Sequence, residues 1–307
     1  MKENNYLVGI DIGGTKCALS FGLVGEDGSI AIAHREEFPT KGAPMEILEE
    51  FARRIEKSEF KGSAIGISCG GPLDSKRGVI LSPPNLPTWD NIEIVKFFTE
   101  RFGVPVNLQN DANACAYAEW KFGAGRGTKN MVFMTFGTGL GAGIVIDGKL
   151  YSGTNDNAGE IGHLRLAPKG PVGYNKEGSE GFCSGAGMTK LARIRAEEEG
   201  IALPEDFSTK ELFRRIDEGD QFCLKVFKES AAHLGMILSY VIDILNPEVI
   251  VLGGVFMRQQ ERFMKEIVPI IEREALPFAS KVCKITGANL SENIGDYAAL
   301  AVAGISR

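Results

Sequence analysis

Two short segments bring glycines, hydroxyls and a carboxylate together in a way that suits a phosphate chain. They are DIGGTK, Asp11 to Lys16, and GTGLGAG, Gly137 to Gly143. Gly13, Gly14, Gly137 and Gly139 let main-chain N–H groups approach phosphate oxygens with no Cβ in the way, and Thr15 and Thr138 add hydroxyl donors. Asp11, at the end of an apolar run, is placed to hold a Mg²⁺ or its waters beside those phosphates. A third glycine pair, Gly253 and Gly254 in VLGG, leaves flat space for an adenine or ribose. Any one of these could be a plain tight turn; two loops of one design in one chain point to a nucleotide. The pattern GxxxxGK[ST] is absent, and no helical pattern follows GTGLGAG, so neither a Walker loop nor a dinucleotide fingerprint is read here.

The elements that must position these loops alternate between strand and helix. YLVGIDIGGTKCALSFGLV (6–24) and MVFMTFGTGLGAGIVIDGKLY (131–151) each consist of a β-rich run, a Gly/Thr turn and a second β-rich run, the pattern of a hairpin with a glycine-rich tip. Residues 45–57 put Ile47, Leu48, Phe51 and Ile55 on one helical stripe. A buried strand is predicted over 63–68, a helix over 91–102 ending at Gly103, and a strand over 104–110. A long helix is predicted over 229–245 with its stop at Asn246-Pro247, then a strand over 248–254 and a last helix over 296–305. The sequence predicts an α/β protein of two related units facing each other across a cleft, residues 1–116 plus 295–307 and residues 117–294.

Composition excludes several classes. The 307 residues carry a net charge of −6 with no basic block, which argues against a nucleic-acid or anionic-membrane partner. Hydrophobic residues at 44% and charged ones at 24% are ordinary for a soluble enzyme. The six cysteines stand singly, without a CxxC pair, and read as reduced thiols. The N-terminus lacks the layout of a signal peptide and no stretch reads as a membrane span, so a cytoplasmic location is expected.

DIGGTK, GISCGGP (66–72), NDANACA (110–116), FGTGLGAG (136–143), GEIGH (159–163) and VLGG (251–254) occur in the order found in ROK sugar kinases, of the actin/hexokinase-like ATPase superfamily. From about residue 6 to 304 the chain resembles that family, glucokinases in particular. The resemblance implies a two-lobed actin-like ATPase fold of the ribonuclease H-like kind, ATP and Mg²⁺ as cofactors, and transfer of phosphate to a sugar hydroxyl. It implies that Asp111 is the general base. Gly71, Asn110, Asp111, Glu160, His163 and Glu180 would contact the sugar, Glu180 being identified through EGFCSG. A carboxylate and an imidazole three apart suit paired sugar hydroxyls. Asp111 also lies where a predicted strand gives way to a helix, so capping is its other role.

One departure from the family pattern is informative. The three cysteines that in many members bind zinc with the GH histidine are replaced here by Pro171, Gly173 and Gly178. A histidine without thiolate partners cannot complete a four-ligand site, so no zinc is expected. The 168–182 loop must then be held by turn chemistry. Lys16 is read either at a phosphate or in solvent, and Trp89 either at the sugar or in the core. Arg165, Lys169 and Lys176 read as surface charges, His34 and His233 as structural.

The acceptor expected first is the 6-hydroxyl of glucose. N-acetylhexosamine, mannose, allose and fructose remain alternatives within the family. A sugar-responsive regulator without catalysis is a reading from another class; the ten residues before Asp11 are too few for a helix-turn-helix domain. An actin-fold ATPase without a sugar is a third, against which GEIGH and NDA argue. A homodimer is suggested by the family likeness alone.

Overall fold

The structure is a computed structural model describing residues 6–172 and 178–305. The elements run β1 (Tyr6–Ile12), β2 (Lys16–Val24), β3 (Ile30–Pro39), α1 (Pro44–Lys57), β4 (Gly62–Cys69), β5 (Leu73–Asp74), β6 (Val79–Ile80), α2 (Ile94–Phe102), β7 (Val106–Asn110), α3 (Asp111–Phe122), β8 (Met131–Met134), β9 (Ala142–Ile146) and β10 (Lys149–Tyr151). They continue with α4 (Gly185–Glu199), α5 (Thr209–Asp217), α6 (Gln221–Leu245), β11 (Val249–Leu252), α7 (Val255–Arg258), α8 (Gln260–Glu274), α9 (Pro277–Ser280), β12 (Lys284–Gly287) and α10 (Ile294–Ala303). The two large sheets have the orders β3-β2-β1-β4-β7 and β10-β9-β8-β11-β12. The chain divides into two compact units: Met1–Gly127 with Gly143–Ala158 and Asn289–Arg307, and Thr128–Ala142 with Gly159–Ala288.

In the first unit β1 and β2 form the expected hairpin across the Gly/Thr tip, with Asp11 opposite Ala18. Strand β1 pairs parallel with β4, and β4 with β7, in a register that aligns Ile12, Cys69 and Asn110. The carboxyl ends of three parallel strands thus share one edge, where open α/β sheets bind ligands. Helix α1 buries Ile47, Leu48, Phe51 and Ile55, the stripe read from spacing. Each such side chain contributes about 1.5–3 kcal/mol when fully buried. Helix α2 begins at Ile94, later than its apolar pattern. Asn91 has φ 54°, and Ile92 exchanges hydrogen bonds of 3.1 and 3.0 Å with Ile80, so its backbone is already committed.

Helix α10 packs on β1 and β4 so closely that a Cβ on Gly66 would stand 2.0 Å from the Ala299 carbonyl oxygen. The buried amide of Asn107 donates to the carbonyls of Val302 and Ile305, which ties the end of α10 to β7. Trp89 is buried in this unit's core, which settles its two readings in favour of packing. His34 is exposed on β3, its ring 5.8 Å from that of Phe60.

In the second unit β8, β11 and β12 are parallel, with Val251 opposite both Phe133 and Thr286. Helix α6 has 25 residues and starts earlier than the apolar run suggested. Asp220 caps it by accepting the Cys223 N–H at 3.0 Å, and Cys223, Val226 and Phe227 extend the buried stripe backwards. It stops where the sequence said, with Asn246 left-handed at φ 44° before Pro247. The core centres on Phe263, whose ring lies 5.0 Å from Phe227, 5.4 Å from Phe136 and 5.5 Å from Phe256. All six cysteines are free thiols. No helix among the described residues is long and apolar enough to cross a membrane.

Candidate functional site

The first unit gathers Asp11, Gly13, Gly14, Thr15, Gly71, Asn110 and Asp111 at the carboxyl edge of its sheet. The hairpin tip is held by its own chain: the Gly13 N–H reaches the Lys16 carbonyl at 3.1 Å, and the Thr40 N–H reaches the Thr15 carbonyl at 3.0 Å. The Thr40 hydroxyl donates to the Gly13 carbonyl at 2.6 Å. No spacing rule singled out Thr40, which joins the tip only because β3 runs beside β2. A Cβ on Gly14 would meet the Asn85 carbonyl oxygen at 2.6 Å, so packing alone requires that glycine. Lys16 pairs with Glu37 at 2.6 Å at the surface, its side chain 65% exposed.

The capping question at the start of α3 is resolved by Asn110. Its side-chain oxygen accepts the N–H groups of Ala112 at 2.9 Å and Asn113 at 3.5 Å. Asp111 is the first helical residue and is exposed, with one carboxylate oxygen 2.7 Å from the Ala112 nitrogen. Gly71 lies against the Asn110 amide, 3.0 Å from where its Cβ would stand.

Asp11 sits in an unusual field. Its pKa is pushed up to about 6, first by burial and then by the charges of Asp111 and Asp296; the Ser68 hydroxyl and Lys16 pull it partly back. Asp296, only 4% exposed, was not singled out in the sequence. It pairs with Arg35 at 2.6 Å, and Gly295 before it lies against Asp11. One Asp296 oxygen is buried without a partner. Burial raises the pKa of Asp296 and Arg35 draws it back. Only the return of α10 to this sheet brings residue 296 beside residue 11, so no local pattern could have found it.

The fit of a metal ion can be judged here. The described residues hold no group of three or more His, Cys, Asp or Glu side chains able to cage one. A desolvated carboxyl among like charges suits a Mg²⁺ that keeps waters and draws its remaining oxygens from phosphates.

The second unit gathers Gly137, Thr138, Gly139, Glu160, His163, Glu180, Gly253 and Gly254. In the loop after β8, the Thr135 N–H donates to the Gly141 carbonyl at 2.9 Å and the Gly141 N–H to the Thr135 hydroxyl at 2.8 Å, closing the base of the tip. The Leu140 N–H donates to the Glu180 carboxylate at 3.3 Å, and a Cβ on Gly139 would come 2.7 Å from the same oxygen. Glu180 is thereby fixed against the glycine loop. Gly162 packs on the Leu140 carbonyl and on Glu180, which brings GEIGH into the same cluster. Glu160 and His163 lie 3.7 Å apart, both partly open to water. Gly137 differs from its neighbours: a Cβ there would meet nothing within 4 Å.

Gly254 has φ 63°, and a Cβ there would stand 2.2 Å from the Phe136 carbonyl oxygen. The adjoining Gly253 and Val255 N–H groups bond to Met134 and Phe136 at 3.0 and 2.8 Å. The fold therefore requires Gly254 whether or not a nucleotide is present.

The start of α4 also belongs to this cluster and was missed. The Gly185 N–H donates to the Gly137 carbonyl at 2.7 Å, and Ser184 caps the helix while its hydroxyl donates to the Glu180 carbonyl at 2.8 Å. The SGAG run after EGFC was its only signal. The loop before Glu180 is tied at both described ends. Ser179 donates to Leu164 at 2.7 Å, Lys190 donates to the Val172 carbonyl at 2.8 Å, and a Cβ on Gly181 would stand 2.0 Å from the Pro171 carbonyl oxygen. Gly173 and Lys176 lie outside the described residues. Arg165 and Lys169 are exposed, and His233 stacks on Phe182 with ring centroids 3.8 Å apart. A surface cavity of about 510 Å³ beside β3 and α1, lined by His34, Glu36, Arg53 and Arg54 among others, contains none of the candidate residues.

Known proteins are similar to this chain over most of its length. The family model for the ROK family matches residues 7–304. A glucokinase of Thermotoga maritima is 32% identical over 266 residues, 83% of each chain. Among solved structures, a ROK hexokinase from Thermus thermophilus superposes with a TM-score of 0.82 at 29% identity, covering 97% of both chains. A ROK family glucokinase from Streptomyces griseus, in complex with glucose and AMPPNP, superposes with a TM-score of 0.74 at 28% identity, covering 97% of this chain and 99% of that one. With an α/β fold matched over nearly its full length to actin-like kinases, the chain belongs to the ROK family, among its sugar kinases.

Proposed function

We propose that the chain transfers the γ-phosphoryl group of ATP to a hexose hydroxyl, the 6-hydroxyl of glucose first. The observation that carries this reading is Asp111. It is exposed at the carboxyl end of β7, and Asn110 beside it does the work of the cap. The substrate oxygen attacks the γ-phosphorus, the bond to the ADP oxygen breaks, and the hydroxyl proton passes to the Asp111 carboxylate. Asn110, Gly71, Glu160, His163 and Glu180 hold the sugar hydroxyls; Glu180 can do so in a fixed orientation because the Leu140 N–H engages one of its oxygens.

The backbone N–H groups and hydroxyls at Gly13, Gly14, Thr15, Gly137, Thr138 and Gly139 receive phosphate oxygens, with Gly253 and Gly254 on the nucleoside side. When bound, Mg²⁺ would be held at Asp11 and would neutralise phosphate charge. Zinc has no part in this reading, since the positions of its cysteines carry Pro171, Gly173 and Gly178. The reaction would run in the cytoplasm, where ATP is supplied, with neither nucleic acid nor membrane as partner.

An ADP-release assay over a panel of hexoses and N-acetylhexosamines tests it. ADP release that depends on glucose supports the reading. Preference for N-acetylhexosamine, mannose, allose or fructose moves the acceptor within the family. Sugar binding with no ADP release favours the regulator, and ADP release indifferent to every sugar favours a plain ATPase.

A further inference from the structure

Phe182, two residues after Glu180, is buried between two segments far apart in the sequence. The His233 ring of α6 stacks on it, with centroids 3.8 Å apart and planes within 10°. A Cβ on Gly170 would stand 2.1 Å from the Phe182 Cζ, so bare backbone lies against the tip of the same ring. The main chain is fastened as closely. The Ser230 hydroxyl of α6 donates to the Phe182 carbonyl at 2.6 Å, and a Cβ on Gly181 would come 2.0 Å from the Pro171 carbonyl oxygen. His233 is itself fixed, its Nδ1 lying 2.8 Å from the Glu229 carbonyl oxygen.

These contacts tie the mostly exposed segment 164–172 to a long core helix. Among the described residues no group of three or more His, Cys, Asp or Glu side chains could fasten it through a metal ion instead. Glu180 lies in the turn that the two sides clamp. The Phe182 N–H closes that turn on the Ser179 carbonyl at 3.0 Å, and the Glu180 carboxylate accepts the Leu140 N–H at 3.3 Å. A closely stacked aromatic pair has a preferred geometry as well as buried area, so it fixes an angle and not only a distance. We infer that the Phe182–His233 stack positions Glu180: by tying 164–172 to α6 it holds the carboxylate in one orientation against the glycine loop. Phe182, His233 and Gly170 are positioning residues, acting on the sugar through Glu180. The inference rests on the reading of Glu180 as a sugar ligand.

Three variants test it. H233A removes the stack, H233F keeps a ring in its place, and G170A pushes a methyl group into Phe182. Far-UV circular dichroism and urea unfolding verify that each folds; should G170A fail to fold, the two His233 variants decide. KM for the sugar is expected to rise about tenfold in H233A and G170A, with KM for ATP unchanged and H233F within about threefold of the wild type. Amide hydrogen exchange reads the same device without activity. Segment 164–172 and the Leu140 N–H should exchange about tenfold faster in H233A and recover in H233F. Equal changes in both KM values, no change in either, or an H233F as impaired as H233A overturns the inference. So does a Leu140 N–H indifferent to loss of the stack. A wild-type chain without sugar-dependent ADP release would count against the kinase reading alone, and exchange at Leu140 would then decide the stack.

Discussion

The two groups of candidate residues differ in what holds them. In the first unit they are charged and crowd one another: burial first, and then the charges of Asp111 and Asp296, push the pKa of Asp11 up to about 6. In the second unit the group is mostly backbone, tied by N–H donors to Glu180 and to carbonyls of the same loop. The first arrangement costs stability that ligands can return; the second is stable by itself and open at one point, Gly137. Electrostatic strain and an unfilled glycine are thus two different marks of a ligand site.

The comparison is broken most severely at Asp111. D111N is expected to lower kcat by about 10²–10⁴ while glucose and ATP bind nearly as before, since a positioned general base contributes on that order. A variant that keeps more than about a tenth of the wild-type rate removes Asp111 from the role.

The glycines of the second unit give the next largest contrast. G254A must force a Cβ onto the Phe136 carbonyl at positive φ and should destabilise by about 3 kcal/mol, seen in urea unfolding. G137A should unfold like the wild type yet bind ATP about tenfold or more weakly, because its methyl occupies only the space a phosphate would take. Equal loss of stability in the two variants would erase the distinction between a fold glycine and a ligand glycine.

Glu180 comes third. E180Q should lower kcat/KM for the sugar by about thirtyfold or more through loss of a charge-assisted hydrogen bond, mainly in KM. A change confined to KM for ATP would transfer Glu180 to the nucleotide.

The smallest expected effect concerns pH. In the folded chain Asp11 gives up its proton near 6, against 3.8 for the ordinary group, so the folded state holds that proton longer. Stability from this group is therefore greatest in acid, falls as pH rises from about 4 to 6, and stays lower above that. D11N should remove this decline and gain about 2 kcal/mol at pH 7.5 while impairing catalysis. The measurement is the wild-type minus variant difference in unfolding free energy across that range; a flat difference would place the strain elsewhere.

Much of this was legible in the residues. The two hairpins, the α1 stripe and the stop of α6 at Asn246-Pro247 follow from periodicity and turn chemistry, which act over a few neighbours. Helix α2 started late because Ile92 was claimed by Ile80, and α6 started early because Asp220 supplied a cap; both depend on contacts or boundaries that an apolar pattern does not mark. Lys16 could not be placed until Glu37 was found across the β2–β3 pair.

The sequence by itself determined which residue types stand ready for the proposed chemistry: glycine loops proposed for phosphate, Asp111 proposed for a proton, and Glu160, His163 and Glu180 proposed for hydroxyls. Only tertiary structure decided that Asp296 and Arg35 stand beside Asp11, that Thr40 props the first loop, and that Gly254 serves the fold while Gly137 leaves room. The reason is physical. Side-chain chemistry and local dihedral preference are written residue by residue, whereas desolvation and close approach depend on segments hundreds of positions apart meeting in one place.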